Sequence, residues 1–250
     1  MRSRGCPRVP LALLAALLVF PARAMAADET GFTLSVGGGL ATGGLDWRAR
    51  TGFALHAETA RLETSHEAGS GPALEAGLGF RFSRRLGLTT VVVWSRRKTA
   101  ASIDASLPHP LYLDRPRSLQ AEAVGLDHRE LATHFDLEWR PVGGRVEATL
   151  FAGPTLLRAE TDLVERVEAN EEYPYDEASF RSAAVASSRS DAALGWNAGG
   201  ALGVAVGARF TLGLQARYVR ARVELSPAGN EPFHVDTGGL QALAFLRFRF

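Results

Sequence analysis

Two His-x-Asp pairs are the clearest candidates for acid–base chemistry in this chain. They are His134 with Asp136 and His234 with Asp236. If each pair lies on a β-strand, this spacing places both side chains on one face, where the carboxylate can orient the imidazole. No nucleophile or second acidic pair is visible at a matching height, so the alternatives are an internal hydrogen-bonded residue for His134 and a loop histidine for His234. We therefore expect no catalytic residue, and two pairs of this kind make no metal or cofactor site.

The wider set of polar residues around His134 follows the same two-residue period. Apolar side chains occupy one face of each alternating segment, and the other face carries charge of both signs. The residues predicted to face inward as a lumen charge network are Glu75, Arg81, His134, Asp136, Glu138, Arg140, Glu147 and Arg217, with Arg97, Gln215, Arg247 and Arg249 alongside. The simplest interpretation is a mutually neutralising plug, and a narrow or gated pore is the alternative. Leu243 and Phe245 share that face and argue against a wide wet channel.

Eight alternating segments are available to position these side chains. They are residues 31–41, 72–82, 87–98, 131–140, 145–157, 192–206, 208–223 and 240–250. Short turns join them at 83–86, 141–144 and near Gly207. Longer polar stretches, predicted as extracellular loops, occupy about 42–70, 104–127, 165–190 and 226–236. This alternation of short and long connections is typical of an all-β, closed, antiparallel up-and-down transmembrane barrel. Residues 47–62 also alternate weakly, which leaves ten strands as an alternative to eight.

The last segment carries a more specific signal. Leu240 to Phe250 alternates strictly and ends on an aromatic residue. A strand with an apolar outer face must pair with an earlier strand or leave an open edge, and closure is favoured. Leu246, Phe248 and Phe250 match the C-terminal signature of bacterial outer-membrane β-barrels, which this ending resembles. That resemblance implies recognition by the barrel-assembly machinery.

Aromatic residues provide an independent test of the topology. In the predicted barrel, Phe80, Phe82, Trp139 and Phe210 fall at the short-turn ends of their strands, whereas Trp94, Trp196 and Tyr218 fall near the opposite ends. Phe210 and Tyr218 are eight residues apart. That spacing is roughly 26 Å along a strand, or about 19 Å along the membrane normal at ~45° tilt. It is close to the ~25 Å height of a lipid-facing band between aromatic girdles.

The N-terminus has the pattern of an export signal. Arg2, Arg4 and Arg8 precede an apolar run over residues 9–20, and Ala24-Met25-Ala26 is a small-residue cleavage site. We expect residues 1–26 to be a cleaved signal peptide for the Sec pathway and residues 27–250 to be the barrel domain. The only cysteine, Cys6, lies inside this signal. The mature chain is then slightly acidic and has no basic run, so nucleic acid is not an expected partner. No later segment is apolar over some 18 residues, which excludes a helical membrane protein.

Residues 160–177 form the most distinctive polar stretch. Its acids are Glu160, Asp162, Glu165, Glu168, Glu171, Glu172, Asp176 and Glu177, interleaved with Tyr173 and Tyr175. Such a cluster could bind a basic surface ligand, or divalent cations that bridge lipopolysaccharide phosphates. A solvated loop is the alternative interpretation.

Together, these features resemble the porin-family or OmpA/OmpX-type eight-stranded barrels across residues 31–250. The resemblance implies a cell outer-membrane location, with outer-membrane lipids and lipopolysaccharide as partners. It also implies a structural, envelope-integrity or surface-binding role. A narrow pore for small solutes is the alternative, and a lipid- or peptide-cleaving barrel enzyme comes third.

Overall fold

The computed structural model describes residues 30–42, 46–190, 192–225 and 233–250. The signal peptide predicted for residues 1–26 lies outside them. The described residues form eleven strands. These are β1 (Gly31–Thr42), β2 (Asp46–Leu55), β3 (Glu58–Ala68), β4 (Gly71–Arg81), β5 (Leu86–Leu107), β6 (Arg117–Val142), β7 (Val146–Glu171), β8 (Ala178–Arg189), β9 (Ala193–Val206), β10 (Phe210–Leu225) and β11 (Phe233–Arg249).

Eight of these strands close into a ring. The order around it is β1-β4-β5-β6-β7-β9-β10-β11, and every neighbouring pair is antiparallel. The closing pair aligns Thr33 with Arg249 and Thr42 with Leu240. The predicted all-β, eight-stranded closed barrel is therefore confirmed. The described residues include no helix long and apolar enough to cross a membrane.

The other three strands extend the sheet at the end away from the short turns. The β2–β3 hairpin adds to the far part of β5, where Arg61 pairs with Ser106 and Ala68 with Thr99. Strand β8 pairs with the far part of β7. The weakly alternating segment 47–62 thus does form a hairpin, but it adds no strand to the closed ring. The structure therefore has eight ring strands and not the alternative ten.

The long connections were predicted as loops, and much of that prediction is wrong. Segments 42–70, 104–127 and 165–190 are mostly strand. The first contains β2 and β3, and the last contains the end of β7 and β8. Strands β5, β6 and β7 are 22, 26 and 26 residues long and extend into the second and third segments. Their alternation persists beyond the apolar part of the barrel, with buried Ala101, Ile103 and Ala105 between more exposed polar residues. The outward face there is polar, and for that reason the sequence resembled a loop. Of the fourth segment, residues 226–232 lie outside the described residues and 233–236 belong to β11.

A β-bulge marks the start of this extension. Thr99 pairs with Leu126 and Ala100 with Val124, so that Gly125 has no partner on β5. Gly125 has a φ of 79°, a conformation that glycine adopts without steric strain. A bulge of this kind bends a strand and increases its local twist, which re-aims the far ends of β5 and β6.

Candidate functional site

The outer surface of the ring has an apolar belt bounded by two rows of aromatic side chains. The girdle residues predicted from the sequence are all exposed: Phe80, Phe82, Trp139 and Phe210 near the short turns, and Trp94, Trp196 and Tyr218 toward the other end. Within the rows, Trp196 lies 5.6 Å from Tyr218 and Phe210 lies 5.0 Å from Phe248 between ring centroids. Exposed aliphatic side chains fill the space between the rows. This surface suits contact with a hydrocarbon layer.

Charged side chains replace the apolar ones directly beyond the second aromatic row. On β5 and β6, Arg96 and Lys98 lie 2.7 and 2.6 Å from carboxylate oxygens of Asp127. Hydrogen bonds from Arg96 and Lys98 hold the pKa of this carboxyl far below its usual range. On β10 and β11, Arg220 and Arg222 contact Asp236 at 3.5 and 3.2 Å. His234 and Asp236 therefore do not form an acid–base pair with each other. Asp236 contacts arginines, and His234 lies 3.7 Å from Glu224 on the exposed face.

Inside the belt, Asp136 and Arg217 form the centre of a buried ion-pair network. Arg217 Nη2 lies 3.2 Å from Asp136 Oδ2, and each residue is 2% exposed. Asn197 Nδ2 donates to the other oxygen of Asp136 at 2.8 Å. The Arg217 guanidinium also lies 4.9 Å from the Phe151 ring centroid. Nearby, Gln215 donates to the buried carboxylate of Glu75.

The first candidate acid–base pair does not form a dyad. His134 is fully buried, and its Nδ1 lies 2.8 Å from Thr155 Oγ1 on β7. Asp136 shares the inward face but is bound by Arg217 and Asn197. His134 is therefore one polar residue of the barrel interior, as in the network interpretation. Among the described residues, no group of three or more His, Cys, Asp and Glu side chains is arranged to hold a metal ion.

A second buried network, centred on Glu130, lies farther from the short turns. Glu130 accepts hydrogen bonds from Arg97 at 2.7 Å and from Ser95 at 3.4 Å, and it contacts His128 at 3.0 Å. Thr237 also donates to it. Sequence reasoning placed Arg97 inside but missed Glu130 and His128. His128 and Glu130 follow the same two-residue period as His134 along the inward face of β6, and this period could have identified them.

A glycine on β11 allows Arg97 to anchor this network to the opposite side of the ring. Arg97 Nη2 donates to the carbonyl oxygen of Gly238 at 2.8 Å. Gly238 has a φ of 117°, and a Cβ atom there would lie 2.3 Å from the Val219 carbonyl oxygen. A larger residue would therefore displace the backbone that Arg97 binds.

An apolar cluster, which we call the Trp47 cluster, lies in the interior at the level of the Glu130 network and extends beyond it. It is formed by Trp47, Ala132, Leu157, Ala159, Val219, Ala221, Val223, Leu225 and Val235. Ala159 pairs directly with Glu130. Strands β6 and β11 lie on opposite sides of the ring, so the cluster, with Trp47 from the β2–β3 hairpin, reaches across the lumen. A small cavity at the level of Asp136 and Arg217 has room for about one water molecule. The interior thus combines buried ion pairs with apolar side chains, which within the belt include Phe151 and Phe245.

Trp47 joins the β2–β3 hairpin to the barrel, and the buried His66 beside it is expected to make the hairpin sensitive to pH. Its ring stacks on His66 with centroids 4.7 Å apart and contacts His128 at 5.8 Å. Burial lowers the pKa of His66 to about 4, so the folded hairpin holds a neutral imidazole. Below pH 6.5 the unfolded segment binds a proton that the folded one does not. Stability therefore falls as the pH falls toward 4, by about 3 kcal/mol at pH 4.

Acidification from pH 7 to pH 4 is therefore expected to loosen this hairpin. Hydrogen exchange of the amides in β2 and β3 should accelerate over this range in the wild-type protein. A His66→Phe variant retains an apolar ring beside Trp47 but cannot titrate, and its exchange should depend much less on pH. Equal pH dependence in the two proteins would show that another group is responsible.

The acidic stretch 160–177 is compensated by basic groups from neighbouring segments. It lies along the end of β7 and the turn that follows, and β8 begins directly after it at Ala178. Glu171 contacts Arg117 and lies 3.2 Å from His56, and Asp176 lies 3.0 Å from Arg115. Arg117 also donates to the Tyr175 carbonyl oxygen at 3.2 Å. These pairs depend on the tertiary structure, and the local sequence showed only Arg158 and Arg166 nearby.

The C-terminal residues complete the closing strand at the short-turn end. Phe250 N donates to the Phe32 carbonyl oxygen at 3.0 Å, and its ring lies 4.7 Å from that of Phe248. Leu246 is exposed on the same outer face. Whether Leu246, Phe248 and Phe250 act as an assembly signal stays a prediction.

Deletion of Phe250 is expected to reduce the yield of folded barrel severalfold without affecting export. The deletion removes the last backbone hydrogen bond to β1 and the final residue of the signature. Gel mobility of the membrane fraction with and without heating measures the folded form, because barrels keep their inter-strand hydrogen bonds in detergent until boiled. Phe250→Tyr, which keeps an aromatic ring, is the control. An unchanged folded yield after the deletion would contradict the signal interpretation.

Comparison with known proteins agrees with this geometry. The family model described as outer membrane protein beta-barrel domain matches residues 12–248. No curated protein matches the chain. Among solved structures, the outer membrane protein OprG from Pseudomonas aeruginosa is similar, with a TM-score of 0.50 and 12% identity, over 89% of this chain and 97% of that one. Neisserial surface protein A, NspA, has a TM-score of 0.45 and 16% identity, over 89% of this chain and 100% of that one. The chain therefore belongs to the outer membrane protein beta-barrel domain family and is a β-barrel of the cell outer membrane.

Proposed function

We propose that this protein is a small, non-conducting outer-membrane barrel with a structural, envelope-integrity or surface-binding role. The observation that carries the proposal is the filled interior. Buried ion pairs occupy the lumen at two levels, and the Trp47 cluster reaches across it at the level of Glu130 and beyond. Side chains fill the interior of an eight-stranded barrel, so a solute could pass only if these contacts were broken.

The sheet extension is the surface available for contact outside the membrane. It consists of the β2–β3 hairpin, β8 and the far ends of β5 to β7, and it has an apolar core of its own. That core is formed by Ala60, Leu62, Ala101, Ile103, Ala105, Leu107, Leu119, Leu126, Val164 and Val167. Because the extension is packed, its exposed polar face has a fixed shape. A preorganised surface loses less conformational entropy when it binds a ligand, which favours a binding role. Lipopolysaccharide, outer-membrane lipids and a surface ligand at residues 160–177 are the partners we propose, after insertion by the barrel-assembly machinery.

Liposome swelling tests the absence of conduction. Proteoliposomes containing the wild-type protein should swell in arabinose no faster than protein-free liposomes. Fast swelling with a wild-type lumen would refute the proposal. A deletion strain tests the envelope role: it should be more sensitive to detergent, and expression of the wild-type gene should restore resistance. Lipid A mass spectra from the same strain should be unchanged, whereas an altered spectrum would favour an enzyme.

A further inference from the structure

The interior at the short-turn end contains more positive charge than the described carboxylates balance. Arg81, Arg140, Arg247 and Arg249 point into this end, where the acids are Glu138 and Glu147. Four guanidinium groups thus face these two carboxylates, and Glu75, deeper in the lumen, offsets only part of the remaining positive charge through Arg247. We call these four arginines the turn-end arginine cluster.

The ion pairs of the cluster are shared unevenly. Arg249 contacts Glu147 and also donates to Thr211 at 2.8 Å. Arg140 Nε lies 3.9 Å from the same carboxylate, beyond hydrogen-bonding distance. Arg247 Nη2 lies 3.5 Å from Glu138. Glu147 is therefore shared by Arg140 and Arg249, whereas Glu138 makes only a long contact with Arg247.

Arg81 is the member with the weakest compensation. Within the part of the chain that the structure describes, it makes no ion pair within 4 Å. Glu147 attracts it from farther away, whereas the charges of Arg140, Arg247 and Arg249 oppose its own. Its buried Nε has no hydrogen-bond partner, and the same is true of Arg140 Nε and Arg249 Nε. Arg140 is only 7% exposed. Buried donors that lack an acceptor are costly, and an acceptor supplied from outside would stabilise them.

The turns around this end add further positive charge. Arg84 and Arg85 lie in the turn between β4 and β5, Arg145 precedes β7, and Arg209 precedes β10. The turn residues 82–85, 143–145 and 207–209 include no Asp or Glu. Positive charge concentrated in these turns raises the local concentration of anions.

We propose that the turn-end arginine cluster binds an oxyanion of the phosphate class. The planar guanidinium group donates two parallel hydrogen bonds to phosphate oxygens, and such charge-assisted bonds are about twice as strong as neutral ones. A phosphate anion would offset the remaining positive charge and would accept bonds from the unpartnered donors. The phosphate group could come from free inorganic phosphate or from the headgroup of a phospholipid at this end of the barrel.

Thermal unfolding of the purified, folded barrel in nonionic detergent tests the proposal. Addition of 20 mM potassium phosphate should raise the unfolding midpoint by about 4 °C relative to potassium chloride of equal ionic strength. A second arm replaces phosphate with micelles containing phosphatidylglycerol. A shift with inorganic phosphate supports a free ion, and a shift with phosphatidylglycerol alone supports a headgroup, provided that either shift depends on Arg81.

The Arg81→Gln variant tests whether a shift depends on Arg81. Arg209→Gln is the matched control, because Arg209 lies on an exposed turn. Arg81→Gln should abolish the shift and, without phosphate, should unfold at a higher temperature than the wild type because like-charge repulsion is relieved. Arg209→Gln should retain the shift. If the unfolding midpoint of the wild-type protein is the same in phosphate and in chloride, and phosphatidylglycerol does not raise it, that result would overturn the proposal. So would a shift that Arg81→Gln retains.

Discussion

Asp136→Ala should lower the free energy of unfolding by about 3 to 5 kcal/mol, the range for removing one partner of a buried ion pair. Arg217 would keep its charge in a site where it is 2% exposed, with its 3.2 Å contact to Asp136 removed. Asn197 Nδ2 would also lose an acceptor at 2.8 Å. Urea unfolding in detergent micelles, followed by tryptophan fluorescence, measures the change.

Glu172→Ala is the control for this variant. Glu172 is exposed in the acidic stretch 160–177, and surface substitutions of this kind usually change stability by less than about 0.5 kcal/mol. The double variant Asp136→Ala with Arg217→Met should recover part of the lost stability, because it removes the uncompensated charge as well. If Asp136→Ala and Glu172→Ala have the same midpoint, water reaches Asp136 and the lumen is not a plug.

Glu130→Gln is expected to have an effect of similar size, about 3 to 5 kcal/mol. The substitution preserves the shape of the side chain but removes the charge that faces Arg97, whose side chain is fully buried. It also weakens the contact with His128 on the same strand and the contact with Thr237, which joins β6 to β11 across the interior. The same urea titration detects the loss.

Glu122→Gln is the matched control, since Glu122 lies on the same strand but is exposed. It should unfold at the wild-type midpoint. A double-mutant cycle with Arg97→Gln should give a coupling energy of about 1 to 3 kcal/mol. A coupling near zero would mean that Arg97 and Glu130 do not depend on each other.

The two-residue period predicts the parts of this fold that depend on local sequence. It identifies the eight ring strands and the inward face that carries Asp136, Glu138 and Arg217. It also predicts the exposed aromatic rows, because an apolar belt between girdles is encoded by residue type alone. The sequence does not predict the continuation of β5, β6 and β7, because their outward residues become polar or charged, as Asp104 on β5 and Glu122 on β6 illustrate.

The partners of the inward residues could not be predicted in the same way. His134 contacts Thr155, Glu75 accepts from Gln215, and Glu130 accepts from Thr237, which are 21, 140 and 107 residues away in sequence. Such pairs depend on the stagger of the strands around the ring, which alternation within one strand does not specify. The compensation of Glu171 by Arg117 has the same origin.

Single-channel recording in planar bilayers tests whether side chains fill the interior. Purified wild-type protein should give at most small, flickering currents, and Asp136→Ala should increase their frequency because it loosens the network around Arg217. A steady, large conductance from wild-type protein, unchanged in Asp136→Ala, would show that these residues line an open channel and that the interior is not filled.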